Sequence, residues 1–361
     1  MKQIRLNYLF IALAFIAVLA SCHKDKVNPN GGTPTAQRAG LYVLNQGGFG
    51  AKNSTLTYYD YTTKLLVPDQ YTVANGAGNV LGDTGNDLGV YGSKMYIVVN
   101  NSNVVDIVNA KTGKLIKQDS ILISKGVGRQ PRSVAFYKTN AFITSYDGTV
   151  AVMDTASLAI SKYITVGRNP EQMVVVGSKL YVANSGGLSF GNPDNTVSVI
   201  DLTTLTETKK ITVIADPVSI TADTYGNVYV LSLGDFNTVL GGMTIIDDNA
   251  DVVKSKPAVS LGYNVPIAAN GDFVYYATAD SKIAVYNAKT QAAAQANFIT
   301  DGTVITTPYA ITVDNSTGEV FVTDAKDYSS NGTLYVFDKT GKKEYSITTG
   351  INPGKIALIN K

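Results

Sequence analysis

The chain has 361 residues, is 45% hydrophobic and only 16% charged, and carries a formal net charge of +2. Removing its first 21 residues takes away Lys2 and Arg5 and leaves 28 basic and 28 acidic side chains. A near-neutral chain with no basic run lacks the Lys and Arg excess that a phosphate backbone demands, so nucleic acid is excluded as a partner.

Residues 1–22 read as a targeting segment. Lys2 and Arg5 form a positive start, and Leu9 to Ala20 is an apolar stretch too short to span a bilayer comfortably. It ends in Leu19-Ala20-Ser21-Cys22, which resembles a bacterial lipoprotein processing site, with Cys22 as the lipidated residue. An uncleaved membrane anchor is the alternative. The expected location is the cell envelope, as an outer-membrane lipoprotein on the cell surface, touching the membrane only through its lipid. Just after the cysteine, Asp25 is the single acid among His23, Lys24 and Lys26, so the leaflet is left open. Cys22 is the only cysteine, so no internal disulfide is possible. Residues 23–38 are poor in groups to bury and read as a flexible tether.

From residue 39 to 361 one pattern returns seven times, at intervals of about 40 to 54 residues. Each copy has an apolar run after a proline, a second run around an aromatic, and a third run ended by Asp or Asn. The aromatic slot holds Tyr42, Tyr96, Phe142, Tyr181, Tyr229, Tyr275 and Phe321. The Asp/Asn slot holds Asp60, Asn109, Asp154, Asp201, Asp247, Asn287 and Asp338. The prolines are Pro131, Pro170, Pro217, Pro266, Pro308 and Pro353; the second copy lacks one. Four short β runs per period predict an all-β, seven-bladed propeller, in which stacking buries what one sheet cannot. The Asp or Asn suits a turn, because its side chain can bond the backbone two residues on. No helix is expected after the targeting segment.

The two ends complete each other. Asn352-Pro353-Gly354 matches the start of a copy, and Gly40-Leu41-Tyr42-Val43 matches a second run with no first run before it. The C-terminal strand is therefore expected to pair with the N-terminal blade, burying Ile356, Leu358 and Ile359 and removing an exposed edge.

Missing residues narrow the chemistry. His23, in the tether, is the only histidine, which excludes His-based nucleophilic schemes and histidine zinc sites from the repeats. There is no tryptophan. No catalytic residue, metal ligand or cofactor is assigned. One enzymatic alternative stays open: Glu171, Asn184 and Asp216 as a calcium site of a propeller hydrolase or lactonase.

Propeller ligands sit on the face built by loops between blades and by loops joining second to third strands. The latter are long in blades one, four, five and seven, each with an aromatic: Phe49, Phe190, Phe236 and Tyr328. These four are expected to wall a trough across the axis. Its polar floor would hold Asn100, Asn101, Arg129, Tyr146, Arg168, Glu171, Gln172 and Asp280. Aromatic rings beside amide and charged groups suit a flat polar ligand.

Gly40-Leu41-Tyr42-Val43-Leu44-Asn45-Gln46-Gly47, Thr55-Leu56-Thr57-Tyr58-Tyr59-Asp60 and Val98-Val99-Asn100-Asn101-Ser102 carry a further signal. With Glu171-Gln172-Met173-Val174 and the stretch from Gly318 to Tyr328, they resemble the Bacteroidetes surface-layer, YncE-like propeller lipoproteins. The resemblance covers nearly all of the chain after the tether. It implies a seven-bladed binding protein without catalysis, in a family that includes surface lipoproteins capturing cobalamin for an outer-membrane transporter. A small-molecule ligand, with the corrinoid as the named candidate, is thus the leading expectation. A glycan or a partner protein of a surface uptake complex is the other.

Overall fold

The computed structural model describes residues 38–189 and 191–361. Cys22 and Phe190 lie outside the described residues. Seven four-stranded antiparallel sheets form the seven blades. In blades two to seven the strands run in sequence order from the axis outward. Their innermost strands are Gly85–Tyr91, Pro131–Tyr137, Pro170–Val176, Pro217–Ala222, Ile267–Asn270 and Pro308–Val313. Blade one takes its innermost strand, Pro353–Asn360, from the C-terminus, paired antiparallel with Arg38–Asn45. This strand touches both Gly85–Tyr91 and Pro308–Val313, so the ring is closed.

The repeat slots explain why the sheets form and stack. All seven slot aromatics are buried, six of them completely and Tyr275 at 7% exposure. Each blade interface has its own apolar cluster. Tyr96, Val98 and Ile107 meet Val134, Ile143 and Met153 between blades two and three. Leu41 and Val43 meet Phe321, Leu334 and Ile356 between blades seven and one. Every Asp or Asn of the turn slot accepts backbone N–H bonds two to four residues on, as Asp60 does from Thr62 and Thr63 and Asp201 from Thr203 and Thr204.

Three details depart from the sequence reading. A single-turn helix, Gln70–Asn75, links blades one and two; Asp69 caps it, accepting from Thr72 N–H and, at 2.6 Å, from the Thr72 hydroxyl. Its six residues are too few for helical periodicity to show. Leu358 is only partly buried, whereas Ile356 and Ile359 are buried at 4% and 5% exposure. The first described strand starts at Arg38, the last residue assigned to the tether. Arg38 pairs with Asp314 and Glu319 and lies over the Phe321 ring, which ties this end of the chain to blade seven.

Candidate functional site

The upper face is the one where innermost strands begin. A local irregularity of the chain shapes it. The residue before each strand has left-handed backbone in five blades: Thr84, Gln130, Asn169, Asp216 and Asn352, with φ between 44° and 65°. Asn and Asp tolerate that conformation better than most side chains. Proline follows in four of these cases, at a position that has no ladder N–H to lose. A bulge comes next, between Pro131 and Val134, Pro170 and Met173, and Pro308 and Ile311, and likewise between Gly85 and Asp87. Bulges re-aim side chains. Those inside these bulges include Asn86, Arg132, Glu171, Gln172 and Tyr309, and all five line the axial cavity.

That cavity has a volume of about 1030 Å³ and extends down the ring to Asn315 in the lower turn of blade seven. Its polar centre is a linked group from three blades. The Glu171 carboxylate takes two bonds from Arg132 on one oxygen, at 2.6 and 2.8 Å, and the Tyr146 hydroxyl on the other. Arg132 also lies over the Tyr146 ring, 4.6 Å from its centroid, and bonds Asn86. Burial and the adjacent Glu171 charge push the Tyr146 hydroxyl well above its ordinary pKa. Burial, then the Glu171 carboxylate, raise Asp216 to about 6. Around the mouth the Tyr309 hydroxyl bonds Gln46, and burial pushes its pKa up to about 12. Tyr263 and Phe236 also line the cavity but stay 74% and 60% exposed.

The twelve sequence-predicted residues divide. Tyr146, Glu171, Gln172 and Phe236 line the cavity. The other described ones do not. Arg129 turns outward, pairs with Asp147 and stacks on Tyr163 at 3.9 Å. Arg168 braces the long loop of blade four through Ser189 and Asn192. Asn100 donates to the Pro131 carbonyl and Asn101 to Asp83, so both tie scaffold together. Asp280 pairs with Lys282 at the rim. Phe49 is 82% exposed, and Tyr328 packs edge-on against Tyr309 while accepting a 2.7 Å bond from Asn264. Arg132, Tyr309 and Tyr263 also line the cavity but were not assigned to its floor or walls from the sequence. The first two immediately follow a repeat proline, and that position is the signal that finds them.

Asn184 is committed to the scaffold, accepting from Gly167 N–H and donating to Thr196 and Ser198. Among the described residues no group of three His, Cys, Asp or Glu side chains is placed to hold a metal ion.

Fold and cavity together define a seven-bladed propeller with a polar axial cavity. The chain belongs to the family described as "Domain of unknown function (DUF5074)", whose model matches residues 39–352. No curated protein matches it significantly. Solved structures share the architecture. A hypothetical selenium-binding protein of Sulfolobus tokodaii superposes with a TM-score of 0.65 at 12% identity, over 89% of this chain and 93% of that one. A quinoprotein alcohol dehydrogenase-like protein of Bacteroides thetaiotaomicron gives 0.63 at 18% identity, over 90% and 79%. BamB of Moraxella catarrhalis gives 0.52 at 16%, over 86% and 81%. At these identities the likeness is one of fold.

Proposed function

We propose that the protein is a non-catalytic capture module of the cell envelope, anchored through a lipid on Cys22, that holds a small ligand in its axial cavity. The cavity carries this reading: about 1030 Å³, with polar groups converging from neighbouring blades and exposed aromatic rings at its mouth. Small-molecule sites typically occupy about 300–1,000 Å³ and combine apolar walls with a few placed polar groups. Arg38 pairs with Asn360 at the lower end of the ring, whereas Asn45 pairs with Pro353 at the upper end. The chain therefore enters the ring at the end opposite the mouth. Residues 38–361 contain no histidine, so no imidazole is available there for acid–base chemistry. A corrinoid handed on to an outer-membrane transporter, or a glycan, are the two ligands that the family resemblance and the mouth aromatics favour.

The test uses residues 38–361, which contain the whole closed ring. Its absorption spectrum after purification reports a retained corrinoid. Calorimetry with corrinoids and oligosaccharides then compares the parent with Phe236→Ala and Tyr263→Ala. Loss of a buried aromatic anchor typically weakens binding by about 2 kcal/mol. A ligand whose affinity ignores both substitutions places the site elsewhere on the ring.

A further inference from the structure

Ionisable side chains other than tyrosine that line the cavity are Asp87, Arg132, Glu171, Asp216 and Lys355. Four of them cancel in pairs: Arg132 with Glu171 at 2.6 Å, and Lys355 with Asp87 at 3.0 Å. Asp216 is left over. It is 5% exposed, no cation pairs with it among the described residues, and its Oδ1 is buried without a hydrogen-bond partner. An unpaired carboxylate in such a place is costly to the fold.

The repeat shows that the scaffold does not require this cost. Asp216 occupies the left-handed position before an innermost strand, with φ of 56°. Asn169 and Asn352 occupy the same position in blades four and one, with φ of 44° and 53°. They serve by donating to the carbonyls of Tyr146, at 2.9 Å, and Gly47, at 3.0 Å. Asparagine tolerates left-handed backbone as well as aspartate does. Blade five keeps a carboxylate where an amide suffices.

Among the described residues nothing packed around Asp216 neutralises it. Glu171 faces it from blade four and Tyr146 from blade three. Asp194, in the long loop of blade four, accepts the Asp216 N–H with its carbonyl. The Asp194 carboxylate is taken by Arg168 N–H, Asn195 N–H and Thr196. The Arg168 guanidinium is spent on Ser189 and Asn192. Beside Oδ1 lies Gly187, where a Cβ would stand 3.7 Å from that oxygen, so glycine adds no side chain over the carboxylate. Leu188 and Phe236, 64% and 60% exposed, offer apolar contact on the way in.

We infer that the cavity recognises its ligand through a protonated amine seated on Asp216, with the ligand's apolar body against Leu188 and Phe236. This rests on the axial cavity being the ligand site. An ammonium group supplies the positive charge and the donors that the fold withholds. It also stabilises the ionised carboxylate, so amine affinity rises with pH through about 6 and then levels.

Phenethylamine, 2-phenylethanol and 3-phenylpropionate are matched probes for calorimetry or NMR titration on residues 38–361. The expected result is that the amine binds at least about tenfold more tightly than the alcohol at neutral pH, with no binding of the carboxylate. Asp216→Asn brings the amine down to the alcohol, and Gly187→Val weakens both by closing the approach. Asp216→Asn leaves the melting temperature unchanged or raises it, because it removes an unpaired charge beside Glu171; a purely structural carboxylate predicts a fall. Equal binding of amine and alcohol, a preference that survives in Asp216→Asn, or no amine binding at millimolar concentration each overturns the inference. A corrinoid or glycan that binds in a Phe236-dependent, Asp216-independent way upholds the cavity and overturns the amine. Failure of every ligand tried overturns both.

Discussion

Deleting residues 353–361 removes one strand of the ring and nothing else, which makes it a direct test of closure. The strand Pro353–Asn360 serves two interfaces at once. Ile356 packs with Leu41, Val43, Ala310, Phe321 and Leu334, at the join with blade seven. Ile359 packs with Tyr42, Leu44, Leu88, Met95 and Ile97, at the join with blade two. Fully burying each isoleucine contributes about 1.5–3 kcal/mol, so the pair alone amounts to about 3–6 kcal/mol. Half-buried Leu358 and Ala357 add to this, and deletion also bares the hydrogen-bonding edge of Arg38–Asn45. Domains are stable by only about 5–15 kcal/mol. The truncated chain is therefore expected to lose its cooperative thermal transition by circular dichroism and to aggregate. Ile356→Ala provides a graded control. It removes one apolar group while leaving the strand in place, and should cost about 2–5 kcal/mol with cooperativity retained. A truncated chain that melts like the parent refutes the argument, because the C-terminal strand would then contribute nothing to the ring.

Other expectations concern anchor, core and metal. Cys22→Ser should abolish incorporation of radioactive fatty acid and release a folded soluble domain; undiminished label on the variant would place the lipid elsewhere. Asp106 is fully buried in blade two, and burial raises its pKa. The folded state therefore holds its proton more tightly than the unfolded chain does. Stability falls as pH climbs from the ordinary carboxylate range through the raised value, and Asp106→Asn should flatten that decline in denaturant titrations across the acidic range. A steeper decline in the variant would mean that the charged form is the favoured one. Calcium in millimolar excess should leave the melting temperature unchanged, since binding to the folded state alone would raise it; a dose-dependent rise would reveal a metal site.

Strand number and blade number were legible in the sequence because each depends on a pattern repeated at short range, and ring closure because the two ends carry complementary parts of one copy. An aromatic such as Phe142 or Tyr229 marks the second strand, where it is completely buried. Asp60 or Asp201 marks a turn that it also stabilises. The unmatched ends, Gly40-Leu41-Tyr42 and Asn352-Pro353-Gly354, required each other. The composition of the axial site was legible only in part. Arg129 and Arg132 flank the same proline-containing step and look equivalent along the chain. The bulge after Pro131 sends Arg132 into the axis against Glu171, while Arg129 stacks outward on Tyr163. Periodicity is blind to that difference, since one extra residue in a strand reverses the direction of the side chains beyond it. Tyr263 lies in a connector with no repeat signature, so the packed ring alone brings it to the mouth. Asp216 combines both levels. Its place before a proline was written in the repeat, but its lack of a counter-charge is a property of three blades meeting, and the assembled structure alone decides it.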